Sequence, residues 1–257
     1  MKVALAINYV QSDNCANLDG IVELIEQATA NGVELILFPE MAVTGFTTND
    51  VPSHDFPMAT TIPGPITDHL GELAKKHGVW IAIGLLEKDV DVLYDTAILI
   101  DPNAEILLKY RRVQPNWHGR NADPAVYKQG TDFPKVLTPF GTVMFLICGD
   151  LWDDTIVQRV NEENPDLLLY PFARTFGGPW DQQKWDDAEL EDYAARVKMV
   201  GCTALMVNYV SDENQGWQSS YFGGAWIINA DGNVLQSHRL GTSGLLLAKI
   251  SDTRKSS

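Results

Sequence analysis

The stretch Val33-Glu34-Leu35-Ile36-Leu37-Phe38-Pro39-Glu40 decides how this chain folds. Its apolar run is of strand length, bounded by Gly32 and Pro39, and shows no alternation. It therefore reads as a strand covered on both faces, which requires layers above and below it. Upstream, Leu18, Ile21, Val22, Ile25 and Ala28 recur at helical spacing before the Gly32 stop. Before that helix, Met1–Ile7 forms a first apolar strand, too short for a signal peptide. Downstream, Pro65 opens a second helical pattern through Ile66, Leu70 and Leu73, closed by Gly78.

Further strands are expected at Trp80–Leu86, Thr96–Ile100, Ile106–Val113 and Thr142–Ile147. A helix follows from near Asp153 to near Asn164, then a strand at Asp166–Tyr170. A longer helix spans Asp181–Val200, and Thr203–Tyr209 is again a strand. Ala230-Asp231-Gly232-Asn233 is a hairpin turn between Ala225–Asn229 and Val234–His238. Leu245–Ile250 supplies the last strand, and Ser251–Ser257 is expected to be a disordered tail. With no repeat and no linker, residues 1–250 read as one domain. Two α/β stretches bracket a run of consecutive strands, which makes the chain α/β with mixed sheets.

Composition narrows the function. A chain of 257 residues, 45% hydrophobic and 21% charged, buries its core without a metal or disulfide staple. Its net charge of −15 repels phosphate backbones and anionic lipids, so neither nucleic acid nor membrane surface is an expected partner. No window reaches the roughly 18 apolar residues that a spanning helix needs. Cys15, Cys148 and Cys202 are odd in number and widely spaced, which fits a reducing compartment and a cytoplasmic address. No Gly-x-Gly-x-x-Gly or phosphate loop follows a strand, so nucleotide binding is poorly supported.

The candidate chemistry lies at strand ends, where loops of α/β proteins diverge over a crevice. Glu40 follows a buried strand, and desolvation there raises a carboxyl toward the range of a general base. Taken alone, a solvated turn Glu is the commoner case. Cys148 sits between the strand Thr142–Ile147 and the Gly149-Asp150-Leu151-Trp152 stretch. A strand-to-helix junction stabilises a thiolate through backbone N–H groups, whereas Cys15 and Cys202 read as inert. In Lys109-Tyr110-Arg111-Arg112, alternation sends Tyr110 and Arg112 to one face, Lys109 and Arg111 to the other.

Together these features resemble the nitrilase (carbon–nitrogen hydrolase) superfamily. The resemblance runs from residue 1 to about Ile250. It includes Tyr94 near Thr96-Ala97-Ile98-Leu99, Ala194-Ala195-Arg196, Asn208, and Phe222-Gly223-Gly224-Ala225-Trp226-Ile227-Ile228 before Asp231-Gly232. It implies a four-layer αββα sandwich with two mixed β-sheets, associating through a helical face into a homodimer or higher homo-oligomer. The implied activity is hydrolysis of a non-peptide carbon–nitrogen bond in a small amide or carbamoyl substrate, with no metal and no cofactor. By the same resemblance Glu40 is the general base and Cys148 the nucleophile that forms a thioester.

The chain departs from the family pattern where a lysine is usual. Arg112 takes that position, with Gln114 and Pro115 where histidine and leucine are common. Counting back from Tyr127-Lys128-Gln129-Gly130 puts Asp123 at the place of an accessory glutamate. Arg112 still stabilises an oxyanion, worth about 3–4 kcal/mol per donor, but cannot donate a proton. Its planar fork is also able to grip Glu40 through two parallel hydrogen bonds and lower its pKa. Trp152, Phe176, Arg174 and Tyr110 are the expected substrate contacts, with Trp180 a further aromatic on the rim. The alternative is a catalytically silent family member that binds a small ligand or a protein partner.

Overall fold

The parity of the first strand sets the layers. In β1 (Lys2–Ile7), Val3, Leu5 and Ile7 enter one apolar cluster, while Ala4 and Ala6 enter another. In β2 (Leu35–Leu37), Leu35 and Leu37 join the first cluster and Ile36 the second. Both faces are dry, which is why these segments show no polar alternation. The architecture is that of a computed structural model describing residues 1–211 and 220–250. The tail Ser251–Ser257 lies outside the described residues.

Between β1 and β2 runs α1 (Asn14–Ala30), and after β2 come α2 (Pro52–Asp55) and α3 (Pro65–His77). Then follow β3 (Trp80–Asp89), β4 (Val92–Ile100), β5 (Ile106–Arg111), β6 (Val136–Thr138) and β7 (Gly141–Phe145). A 3₁₀ turn (Cys148–Trp152) leads to α4 (Asp154–Glu163), β8 (Leu167–Pro171), α5 (Gln182–Lys184), a π-helical turn (Trp185–Glu189) and α6 (Leu190–Val200). Among the described residues, the remaining strands are β9 (Thr203–Val207), β10 (Ala225–Ile228), β11 (Val234–His238) and β12 (Gly244–Lys249).

Two six-stranded mixed sheets result, ordered β12-β1-β2-β3-β4-β5 and β11-β10-β9-β8-β7-β6. Each has a parallel centre, β1-β2-β3 or β7-β8-β9, flanked by antiparallel strands. Helices α1 and α3 roof the first sheet through Ile21, Leu24, Ile25, Ala28, Leu70, Leu73 and Ala74. Helices α4 and α6 cover the second through Ile156, Val157, Val160, Val197 and Val200. The order helix, sheet, sheet, helix is the expected four-layer sandwich. Among the described residues, no helix is long and apolar enough to cross a membrane.

Helix ends follow their caps. Asp153 accepts hydrogen bonds from the N–H groups of Thr155 (2.9 Å) and Ile156 (3.2 Å) at the start of α4, and Asn164 closes it with φ +51°. The long helix expected over Asp181–Val200 is instead broken at the π-helical turn. The extra residue there carries Trp185 inward onto Trp226 (4.6 Å between ring centroids), Phe222 (5.1 Å) and Tyr193 (5.2 Å). The edge strand β6 escapes sequence reading because it is three residues long with Leu137 largely exposed.

Candidate active site

Three chain segments, two leaving the first sheet and one the second, build a single buried polar cluster. The first is the turn after β2. Its backbone lies so close on β3 that a Cβ on Gly84 would stand 2.5 Å from Glu40 Cα and 2.7 Å from the Pro39 carbonyl oxygen. Gly84 donates to that carbonyl (3.0 Å), and Glu40 is fully enclosed. The second segment is the end of β5, where the Arg112 N–H bonds the Asp95 carbonyl of β4 at 2.9 Å. Arg112 turns inward and is also buried. The third is the elbow after β7, where Cys148 holds φ +43°, a conformation costly for a residue with a Cβ and seen where geometry serves function.

The cluster is wired as follows. Arg112 Nη1 donates to Glu40 Oε1 at 2.9 Å and faces Asp95 Oδ2 at 3.5 Å, while Nη2 donates to Gln114 Oε1 at 3.0 Å. The Arg112–Glu40 contact is thus through one nitrogen, not the two-pronged grip the fork allows. Burial pushes the Glu40 carboxyl well above its ordinary range, helped by Cys148 and Asp95, and Arg112 only partly offsets this. Desolvation therefore outweighs the ion pair, the reverse of the lowering expected from a bidentate grip. Burial also raises Asp95, against the opposing pull of Glu40 and Arg112. Burial works against the charge on Arg112, but Cys148, Glu40, Asp95 and Asp150 keep it protonated.

Asp150 fastens the elbow to the arginine strand. Its Oδ2 accepts from the Ile147 N–H (3.0 Å) and the Tyr110 hydroxyl (2.8 Å). Its Oδ1 accepts from the N–H groups of Val113 (3.1 Å) and Gln114 (2.7 Å). Burial pushes its carboxyl up to about 6 despite these donors. The Tyr170 hydroxyl holds the Cys148 carbonyl at 2.6 Å, and Cys148 Sγ, partly exposed, lies 3.6 Å from the Ala173 carbonyl oxygen.

Among the expected site residues, Glu40, Arg112 and Cys148 converge. Asp123 does not join them. It is exposed, and its carboxylate accepts from the Ala125 N–H at 2.8 Å within its own turn. Tyr110 is on the expected face but buried, its hydroxyl engaged by Asp150, so it supports the site from below and does not line it. Lys109 and Arg111 lie on the opposite face, both bonded to Glu87. Trp152 and Arg174 line a cavity of about 390 Å³ with Glu189, Asp192 and Tyr193, Trp152 standing edge-on to Tyr193 at 4.8 Å. Arg174 is tied to Glu189 there (Nε to Oε2, 3.0 Å). Phe176 packs against Phe222 at 4.8 Å between ring centroids, away from that lining. Trp180 stands over Gly241 instead, where a Cβ would meet its ring at 2.2 Å.

The sequence reading missed Asp95 and the clasp role of Asp150. For Asp95 a signal exists: a lone carboxylate in the apolar run of β4. For Asp150 the signal is its place one residue beyond Cys148-Gly149.

Against known proteins, the profile described as carbon-nitrogen hydrolase matches residues 2–256. Nitrilase 3 of Arabidopsis thaliana is 31% identical over 156 residues, 54% of this chain and 44% of that protein. A formamidase of Bacillus cereus (strain Q1) is 38% identical over 99 residues, 37% of this chain and 29% of that one. The matched stretches thus span less than half the length of these relatives. Among solved structures, an amidase from Nesterenkonia sp. superposes with a TM-score of 0.80 at 23% identity, covering 98% of this chain and 90% of that one. A mutant of the Nesterenkonia sp. AN1 amidase shows covalent addition of the acetamide moiety of fluoroacetamide at its active-site cysteine.

Proposed function

The chain belongs to the carbon–nitrogen hydrolase family, and from that premise we propose that it hydrolyses a small amide through Cys148, with Glu40 as general base. The observation that carries this reading is the convergence of Glu40, Arg112 and the Cys148 elbow in one buried cluster. Cys148 Sγ attacks the amide carbon while its proton passes to Glu40, Glu40 gives that proton to the nitrogen as the C–N bond breaks, and the neutral amine departs from a thioester. Water then gives a proton to Glu40 as its oxygen attacks the thioester carbon, and the thiol is restored as the C–S bond breaks. Arg112 supplies fixed positive charge for the oxyanion. The cavity beside Arg174 and Trp152 is the proposed place for the remainder of the substrate. We read residues 1–250 as one catalytic domain, acting in the cytoplasm as a homodimer or larger homo-oligomer.

Alkylation of Cys148 against pH, read by mass spectrometry with Cys15 and Cys202 as internal controls, tests the nucleophile. Selective reaction with an apparent pKa well below about 8.5 is expected. A panel of formamide, acetamide and carbamoyl compounds then finds the substrate, and Glu40→Gln should abolish turnover. If Cys148 reacts no faster than Cys15 and no amide is hydrolysed, the protein is a silent family member that binds a ligand or partner.

A further inference from the structure

Asp95 lies in mid-strand with its side chain fully enclosed. One nitrogen, Arg112 Nη1, faces Glu40 Oε1 at 2.9 Å and Asp95 Oδ2 at 3.5 Å, so the two carboxyls are held against the same cation. Two buried carboxylates that share one nitrogen repel each other, and a proton on one of them removes that repulsion. Among the described residues, Glu40 Oε2 and Asp95 Oδ1 are buried without a hydrogen-bond donor. Charge gives the same count. Among the described residues, Cys148, Tyr170, Tyr209 and Tyr221 also face Glu40, and none of these brings positive charge. Asp150 is separately satisfied by its three N–H donors and the Tyr110 hydroxyl. Within this cluster, a single guanidinium balances a single carboxylate, and the second carboxyl stays neutral.

We propose that Asp95 is a positioning residue that works with Glu40 as a one-proton carboxyl pair, keeping an acid beside the base in a site whose cation cannot release a proton. The inference rests on the reading of Cys148 as nucleophile and Glu40 as base. Before acylation the pair holds one proton. As the Sγ–C bond forms, the thiol proton passes to Glu40, and the pair holds two. As the C–N bond breaks, one proton goes to the leaving nitrogen, and the pair returns to one. In deacylation the pair takes a proton from water as the O–C bond forms and returns it to Sγ as the C–S bond breaks. Each half-reaction begins and ends in the same state, so Arg112 never has to lose its proton. The upward displacement of both carboxyls by burial agrees with a proton retained there.

Infrared difference spectroscopy counts that proton directly. In mildly alkaline solution, above the range of exposed carboxyls and of Asp150, the wild type should keep one protonated-carboxyl band. Glu40→Gln and Asp95→Asn should each lose it, and a wild type without the band overturns the pair. Asp95→Asn preserves shape and can still hydrogen-bond both Arg112 and Glu40, so a purely structural role predicts equal effects on all substrates. The pair instead predicts that formamide hydrolysis falls about 10²-fold or more. Acylation by p-nitrophenyl acetate, read as single-turnover release of a phenolate that leaves without a proton, should fall less than about fivefold. Equal losses on the two probes overturn the proposal. The wild-type band needs neither turnover nor a folded variant. A protein with the band but an unreactive Cys148 therefore refutes the hydrolase reading alone, and a reactive Cys148 without the band refutes the pair alone.

Discussion

Gly149→Ala adds one methyl group beside the nucleophile, and the structure sets its consequence. An ideal Cβ at this position would stand 2.3 Å from Arg112 Nη2, 2.7 Å from Gln114 Oε1 and 3.2 Å from Arg112 Cζ. Ordinary contact needs about 3.5 Å, so the near nitrogen must retreat by roughly 1 Å. The guanidinium is rigid and planar, and Nη1 is already held by Glu40 at 2.9 Å in a buried site. Moving Nη2 therefore draws Nη1 away from Glu40. A displacement of about 1 Å costs on the order of 10²-fold in rate, and a broken buried ion pair costs about 3–5 kcal/mol. Gly149 itself lies outside the left-handed backbone region, so the effect is steric and not conformational. The assay pairs urea denaturation with turnover of whichever small amide the wild type hydrolyses. The variant should fold, lose about 2–4 kcal/mol through partial loss of that pair, and lose about 10²-fold in kcat/KM. Activity within threefold of wild type would refute the argument, because Arg112 would then be free to move without consequence.

The pH dependence of stability offers a second check. The folded-state value of Asp150, about 6, exceeds that of an unfolded carboxyl, about 3.9. The folded state thus binds more protons in between, and stability falls by about 3 kcal/mol as pH rises through that window. Asp150→Asn should flatten this slope while lowering baseline stability by about 1–3 kcal/mol, since its amide faces the Ile147 N–H; an unchanged slope sinks the assignment. At Cys148, Gly should be more stable than Ala by about 1 kcal/mol, the reverse of the usual order, because φ is +43°. Thermal denaturation of the two inactive variants decides it. Lys109→Met should leave Cys148 alkylation unchanged within twofold and cost about 1 kcal/mol, since Arg111 still holds Glu87. A large change in Cys148 reactivity would mean that Lys109 reaches the site.

How much of this was legible depended on the range of the interaction. The side each cation takes in Lys109-Tyr110-Arg111-Arg112 follows from the two-residue period of a strand, which needs no partner to be known. The strand-end placing of Glu40 and Cys148 likewise follows from short apolar runs and what interrupts them. Asp95 stands out in sequence only as a lone carboxylate in an apolar run; its role arises when β5 pairs antiparallel with β4 and brings the Arg112 N–H to the Asp95 carbonyl. Asp123 shows the converse limit. Counting residues from Gly130 locates it along the chain, but Pro124 begins a tight turn that engages the carboxylate on the nearby Ala125 N–H. Tyr110 projects as expected, yet which of its neighbours takes the hydroxyl depended on Asp150, forty residues away.

The closing of the first sheet has a consequence during synthesis. β12 covers the outer edge of β1, in the register Lys2 to Lys249 through Ile7 to Gly244, so β1 waits for a strand made much later. Until then the β1 edge presents unpaired backbone groups to whatever chain is near. A ribosome stalled anywhere before Gly244 would release a chain with that edge open, which predicts that truncated translation products aggregate or recruit chaperones. Because β1 and β2 are neighbours in that sheet, the turn bearing Glu40 reaches its final rigidity only after β12 docks. Catalytic competence would then be acquired only once β12 has been made, not progressively as the chain emerges.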